Sequence, residues 1–62
     1  MNGIKAARKA LGLSQEQLAS MIGTTAGAVS QWECGRSFPR AAKLNQLSEI
    51  LGVPVNSLLK VG

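Results

Sequence analysis

The sequence predicts an all-α fold of five short helices, with a helix-turn-helix formed by the second and third. Three observations predict it. Apolar residues recur at helical spacing along most of the chain, and no stretch shows the alternation of a strand. Glycines at 12, 23, 35 and 52 each follow an apolar-periodic segment, where a residue tolerant of the left-handed conformation ends a helix. Between Gly12 and Gly35, two such segments meet at a tight turn on Gly23, each with a start signal before it. In that pattern the second helix is the one that enters a DNA groove.

The first helix is expected over residues 3–11, capped by Asn2, with Ile4, Ala7 and Leu11 inward and Lys5 and Lys9 largely outward. The second carries the clearest signals. Ser14 is its N-cap, Gln17 completes a capping box, and Leu13 and Leu18 stand at the spacing of a hydrophobic staple. Leu18, Ala19 and Ile22 form its apolar stripe. The third helix, over about 25–34, starts at a Thr25 cap. At 100° per residue, Val29 and Trp32 face inward, while Gly27, Ser30, Gln31 and Cys34 face outward. Glu33 falls at the edge of the buried face, where a carboxylate needs a partner. Residues 36–40 form a loop broken by Pro39. The fourth helix has a weak cap in Arg40, with Leu44, Leu47 and Leu51 inward and Lys43 and Glu49 outward. A fifth follows Pro54 within residues 53–60, carrying Val55, Leu58 and Leu59.

Composition narrows the function. The 62 residues read as one domain, 1–62, burying roughly 60% of the unfolded surface, too little for a core plus an enclosed catalytic pocket. Seven Lys and Arg oppose three Glu, a net charge of +4 that suits a polyanionic partner, nucleic acid above all. A merely soluble basic domain would have the same composition. Glu16, Glu33 and Glu49 are the acids. With no Asp and no His, there is no catalytic pair, metal-ligand set or cofactor motif, so neither an enzyme nor a small-molecule site is expected. The single Cys34 points to a reducing compartment, and it is more simply a bystander thiol than a redox switch. No run approaches a membrane span of about 20 apolar residues. The start lacks a signal core, and Asn2 interrupts a myristoylation motif. The expected location is the cytoplasm, at the nucleoid. Met1 points to an intact N-terminus, whereas Val61 and Gly62 leave open whether the chain continues.

The blocks Arg-Lys-Ala-Leu-Gly-Leu-Ser-Gln-Glu-Gln-Leu-Ala at 8–19 and Val-Ser-Gln-Trp-Glu-Cys-Gly at 29–35, followed by Pro39, Leu44, Leu47 and Leu51-Gly52-Val53, resemble the lambda-repressor-like (phage repressor/Cro, or XRE) helix-turn-helix family. The resemblance covers nearly the whole chain and includes the spacing between blocks. It implies a five-helix all-α domain that binds DNA as a transcriptional regulator, of Cro-like or phage-repressor type. Gln15 matches the family's phosphate-binding residue at the start of the second helix. The unpaired first amides of a helix favour an anion there, and the Gln side chain adds a donor. An ordinary exposed first-turn residue is the alternative. Thr25, Ala26, Gly27, Ser30 and Gln31 match the base-facing and backbone-facing positions of the recognition helix. The chain departs from well-known members at Ala26 and Gly27, which are short where longer polar readers often stand. Ala26 offers a methyl to thymine and Gly27 offers close approach. Gln31 can contact adenine through two hydrogen bonds, or else simply lies on a solvated face.

Arg8 and Glu33 match a buried ion pair of several family members, a structural role. Trp32 reads as core rather than as a base-stacking platform. Arg36 and Arg40 are the loop cations suited to phosphate or minor-groove contact. Arg40, after Pro39, matches a position from which some members insert an arginine into a narrow minor groove. Solvated charge is the alternative for both, and for Lys43 a phosphate contact and a solvated charge weigh equally.

The expected partner is therefore double-stranded DNA, as a pseudo-palindromic operator. A single helix-turn-helix reads few base pairs, and Val53, Val55, Leu58, Leu59 and Val61 exceed what one short helix can bury. A weak homodimer through the fifth helix and tail is expected, although Leu58 taken alone reads as core. The competing reading is a protein-interaction module on the same fold; an antitoxin, or the DNA-binding part of a larger regulator, would keep the DNA role. A rim of Gln15, Arg36 and Arg40 around the recognition helix discriminates in favour of DNA.

Overall fold

Local capping chemistry sets the helix ends. The computed structural model describes residues 2–58, Asn2 by its backbone only, as α1 (Asn2–Ala10), α2 (Gln15–Ile22), α3 (Ala26–Cys34), α4 (Ala41–Leu51) and α5 (Val55–Leu58). Among the described residues there is no strand. The Ser14 hydroxyl accepts from the Gln17 amide at 3.0 Å, and the Gln17 side chain accepts from the Ser14 amide at 2.8 Å, which closes the capping box. Thr25 Oγ1 accepts from the Ala28 amide at 3.1 Å, while Arg40 heads α4 with no side-chain cap bond. Gly23 turns the chain between α2 and α3 at φ +71°, and its amide and that of Thr24 both return to the Ala19 carbonyl. A side chain with a Cβ would be strained in that conformation.

The core gathers one face from every helix: Ile4 of α1, Leu18, Ala19 and Ile22 of α2, Val29 and Trp32 of α3, Leu47 and Leu51 of α4, and Leu58 of α5. Helix α2 packs chiefly on α3, and α1 bridges α3, α4 and α5. Gly3 makes the last of these contacts: a Cβ there would lie 2.9 Å from the Leu58 Cα and would collide with the Ser57 carbonyl oxygen. Glycine is what lets α5 close onto α1.

Several expectations need correction. Asn2 lies inside α1 rather than capping it, and α1 stops at Ala10. Leu11, expected inward, is 52% exposed. It belongs to the turn that leaves α1, where its amide bonds back to Ala7 and Arg8, and the half-buried Leu13 packs on the core instead. Lys43, expected outward, is half-buried: its Nζ donates to the Ile22 carbonyl at 2.6 Å and reaches the Gly23 carbonyl at 3.5 Å. A cation at these terminal carbonyls is favoured by the helix dipole. Leu58 is fully buried and Val53 and Val55 are half-buried, while the expected contributions of Leu59 and Val61 lie outside the described residues.

Candidate nucleic-acid interface

Helix α3 divides cleanly into two faces. Val29, Trp32 and Glu33 are buried, whereas Gly27, Gln31 and Cys34 are exposed and Ser30 is half-exposed. The outward stripe is therefore short side chains around one long polar side chain, Gln31. Thr25 is exposed, with its hydroxyl engaged in capping, and Ala26 is half-buried at the first turn. The Cys34 thiol donates to the Ser30 carbonyl at 3.0 Å on the same stripe.

Beneath this face lies a network that joins three helices. Arg8 of α1 grips Glu33 of α3 with two parallel bonds, Nε to Oε2 at 2.7 Å and Nη2 to Oε1 at 3.0 Å. Its third nitrogen, Nη1, donates to the Leu13 carbonyl at 2.8 Å and so fixes the approach to α2. Gln15 Nε2 donates to Glu33 Oε1 at 3.1 Å. Burial alone would raise the Glu33 carboxyl above its ordinary value. The Arg8 bonds, the Gln15 bond and the charges of Arg8 and Lys5 together outweigh burial and hold it below that value. Arg8 is correspondingly held above its own, chiefly by its bond to Glu33. Among the described residues every buried side-chain nitrogen and oxygen has a partner. Helical periodicity left Glu33 at the buried edge in need of a partner, and the family resemblance implied that Arg8 supplies it. The sequence missed the Gln15 bond, because no local signal reports a contact 18 residues away.

Two open grooves flank Gln15. One, of about 570 Å³, has Lys5 and Lys9 of α1 on one side, Ser30 and Cys34 of α3 on the other, and the Arg8–Glu33 pair between them. The second, of about 520 Å³, brings Gln15 to Ser14, Glu16 and Ala26. The fold thus gathers Gln15, Ala26 and Ser30 from the expected set. Arg36 and Arg40 are exposed and belong to neither of these grooves. They follow the other end of α3, where the Arg36 amide bonds to the Gln31 carbonyl at 3.0 Å and buried Pro39 anchors the loop. The α1 lysines beside Gln15 were legible only as a basic spacing on the first helix, without the groove that gives them a direction.

Residues 4–58 match the helix-turn-helix family model. The chain is 37% identical over 57 residues to the SPbeta prophage-derived uncharacterized HTH-type transcriptional regulator YonR of Bacillus subtilis (strain 168), covering 92% of this chain and 53% of that protein. It is 36% identical over 47 residues to the HTH-type transcriptional activator BcrR of Enterococcus faecalis, covering 76% of this chain and 23% of that one. The chain therefore spans about half, or less, of these relatives. Among solved structures it superposes on the P22 c2 repressor protein in complex with synthetic operator 9T, with a TM-score of 0.86 and 38% identity, covering 92% of this chain and 86% of that one.

Proposed function

The chain belongs to the lambda-repressor-like helix-turn-helix family, and on that premise we propose that it binds double-stranded DNA sequence-specifically as a transcriptional regulator. That family is one of DNA-binding regulators rather than an enzyme class. One observation carries the reading: α3 buries Val29, Trp32 and Glu33, and so presents Gly27, Ser30 and Gln31 outward beside a Gln15 already oriented by Glu33. Such a face suits the major groove, with α3 as the recognition helix. Residues 1–62 act as one DNA-binding unit, at the nucleoid in the cytoplasm.

Roles follow from chemistry. Gln15 uses one amide hydrogen on Glu33 and keeps a second for a phosphate at the start of α2. Gln31 reads a base edge, Ala26 offers a methyl, and Gly27 and Ser30 permit close approach. Thr25 lies where α3 meets the backbone. Arg36 and Arg40 supply phosphate contacts, Arg40 from a backbone position set by Pro39. The neighbour's role supports a repressor; an activator would use the same surface. Two copies pair weakly on a pseudo-palindromic operator.

The test is a selection against random duplexes at several salt concentrations, followed by Arg40→Ala. A selected consensus supports the reading, and the variant should weaken binding to all sequences and lower the salt slope by about one. An unchanged slope at unchanged affinity removes Arg40 from the interface, and no enrichment of any duplex overturns the reading itself.

A further inference from the structure

Lys5 and Lys9 are exposed, whereas Lys43 is half-buried and spends its ammonium on the backbone of another element. Its Nζ donates to the Ile22 carbonyl at 2.6 Å and lies 3.5 Å from the Gly23 carbonyl. Helix α2 has no basic residue in its own last turn, so α4 supplies the cation that its C-terminal carbonyls favour. The ammonium sits directly over the turn: a Cβ on Gly23 would meet it at 3.7 Å. Helix α4 gives this contact a firm base, because Leu47 is buried in the core and Leu44 packs against it. Val29 and Trp32 also hold α3 in place, but apolar burial is non-directional. The charged bond to Ile22 fixes a direction at the point where α3 leaves α2. From Ala26 to Gln31 the helix rises about 7.5 Å, so a tilt of about 8° at the turn displaces Gln31 by about 1 Å. A binding geometry tolerates about 0.5 Å.

We propose that Lys43 is a positioning residue for base readout: it clasps the α2–α3 turn and so sets the angle at which α3 presents Gln31, without itself touching DNA. The proposal rests on the DNA-binding reading and adds a residue outside the helix-turn-helix on which discrimination between sequences depends. A phosphate contact by the same lysine would have to compete with the Ile22 bond, at the negative end of α2. Lys43 therefore differs in kind from Arg36 and Arg40. It governs the preference for one duplex over another, and not the attraction that every duplex shares.

The experiment compares the full chain with Lys43→Met, which keeps most of the stem and removes the charge and the donors, and with Lys43→Arg, which keeps both. Circular dichroism sets a temperature at which each protein is folded. There, affinities for the selected consensus and for mixed-sequence duplex are titrated against KCl. In Lys43→Met the ratio of the two affinities should fall about tenfold, within the range of one lost two-bond base contact. The affinity for mixed-sequence duplex and its salt slope should stay at wild-type values, and Lys43→Arg should keep most of the preference. Should Lys43→Met not fold, Lys43→Gln, which keeps a donor without the charge, takes its place in the comparison. An unchanged ratio in a folded neutral variant overturns the proposal and leaves Lys43 a purely structural role. A salt slope lowered by about 0.9 at an unchanged ratio makes Lys43 a phosphate contact and overturns it too. So does a Lys43→Arg that loses as much preference as Lys43→Met. A wild type with no preference for any duplex removes the DNA-binding reading beneath the proposal, an outcome visible before any variant is made.

Discussion

Glu33 is the residue on which three helices converge, and its protonation bears on stability. Its carboxylate is largely buried and accepts from Arg8 and Gln15. Its folded-state pKa lies below the ordinary 4.5. A depressed carboxylate contributes stability that is fully present above the unfolded value and is lost as pH falls through the lower folded value. Urea midpoints should therefore drop as pH is taken from neutrality to below 4.5, the ordinary value for Glu33. In Glu33→Gln this contribution to the acid limb should vanish, and stability at neutral pH should fall by about 3–5 kcal/mol because Arg8 is left buried without its counter-charge. Parallel acid limbs in the two proteins would show that the pair contributes nothing in this window. Gln31 belongs to the same scale. As the one long polar side chain on the outward stripe of α3, it should carry most of the side-chain base readout. Gln31→Ala should relax preference at one base pair by roughly 1–3 kcal/mol in a duplex selection. An identical consensus for mutant and wild type would transfer specificity to DNA shape.

Two unlike devices position α3 and α5 as elements. The α2–α3 junction is held locally by Gly23 and the Thr25 cap, and at a distance by Lys43, whose ammonium sits on the Ile22 carbonyl. Helix α5, four residues long, is placed by the burial of Leu58 and by the close approach at Gly3. Gly3→Ala puts a methyl group where the α5 backbone lies. Overpacking of this kind costs about 1–3 kcal/mol, offset only slightly by the better helix propensity of alanine. The urea midpoint should fall. A midpoint equal to or above that of the wild type would mean that α5 moves aside freely and does not close the core.

At the scale of the whole molecule, the proposed reading asks how two copies of α3 would meet one operator. Leu58 is taken up by the monomer core, so the apolar surface available for pairing among the described residues at this end is the half-buried Val53 and Val55. On the proposed dimer reading, so small a patch predicts weak self-association in the absence of DNA. A palindromic duplex that presents half-sites about 34 Å apart should bring two copies together. Sedimentation with and without that duplex should show a monomer alone and two proteins per duplex at saturation, bound cooperatively. One protein per duplex, or two without cooperativity, would end the dimer model.

The sequence by itself determined the ends of α2 and α3, their inward stripes and the need of Glu33 for a partner. Each of these depends on residues within a turn or two of one another: Ser14 with Gln17, Thr25 with Ala28, Gly23 after Ile22, Val29 with Trp32. Hydrophobic period and capping chemistry act at that range and can be read directly. Tertiary structure alone decided that Leu11 lies exposed, that Lys43 caps α2, that Gly3 admits α5 and that Gln15 leans on Glu33. It also decided that the α1 lysines line a groove beside α3. These features join segments far apart in the chain, and they depend on how the packed helices are rotated and displaced, which no local spacing encodes. A periodic pattern specifies which face of a helix is buried, but only packing specifies what that face, or its edge, meets.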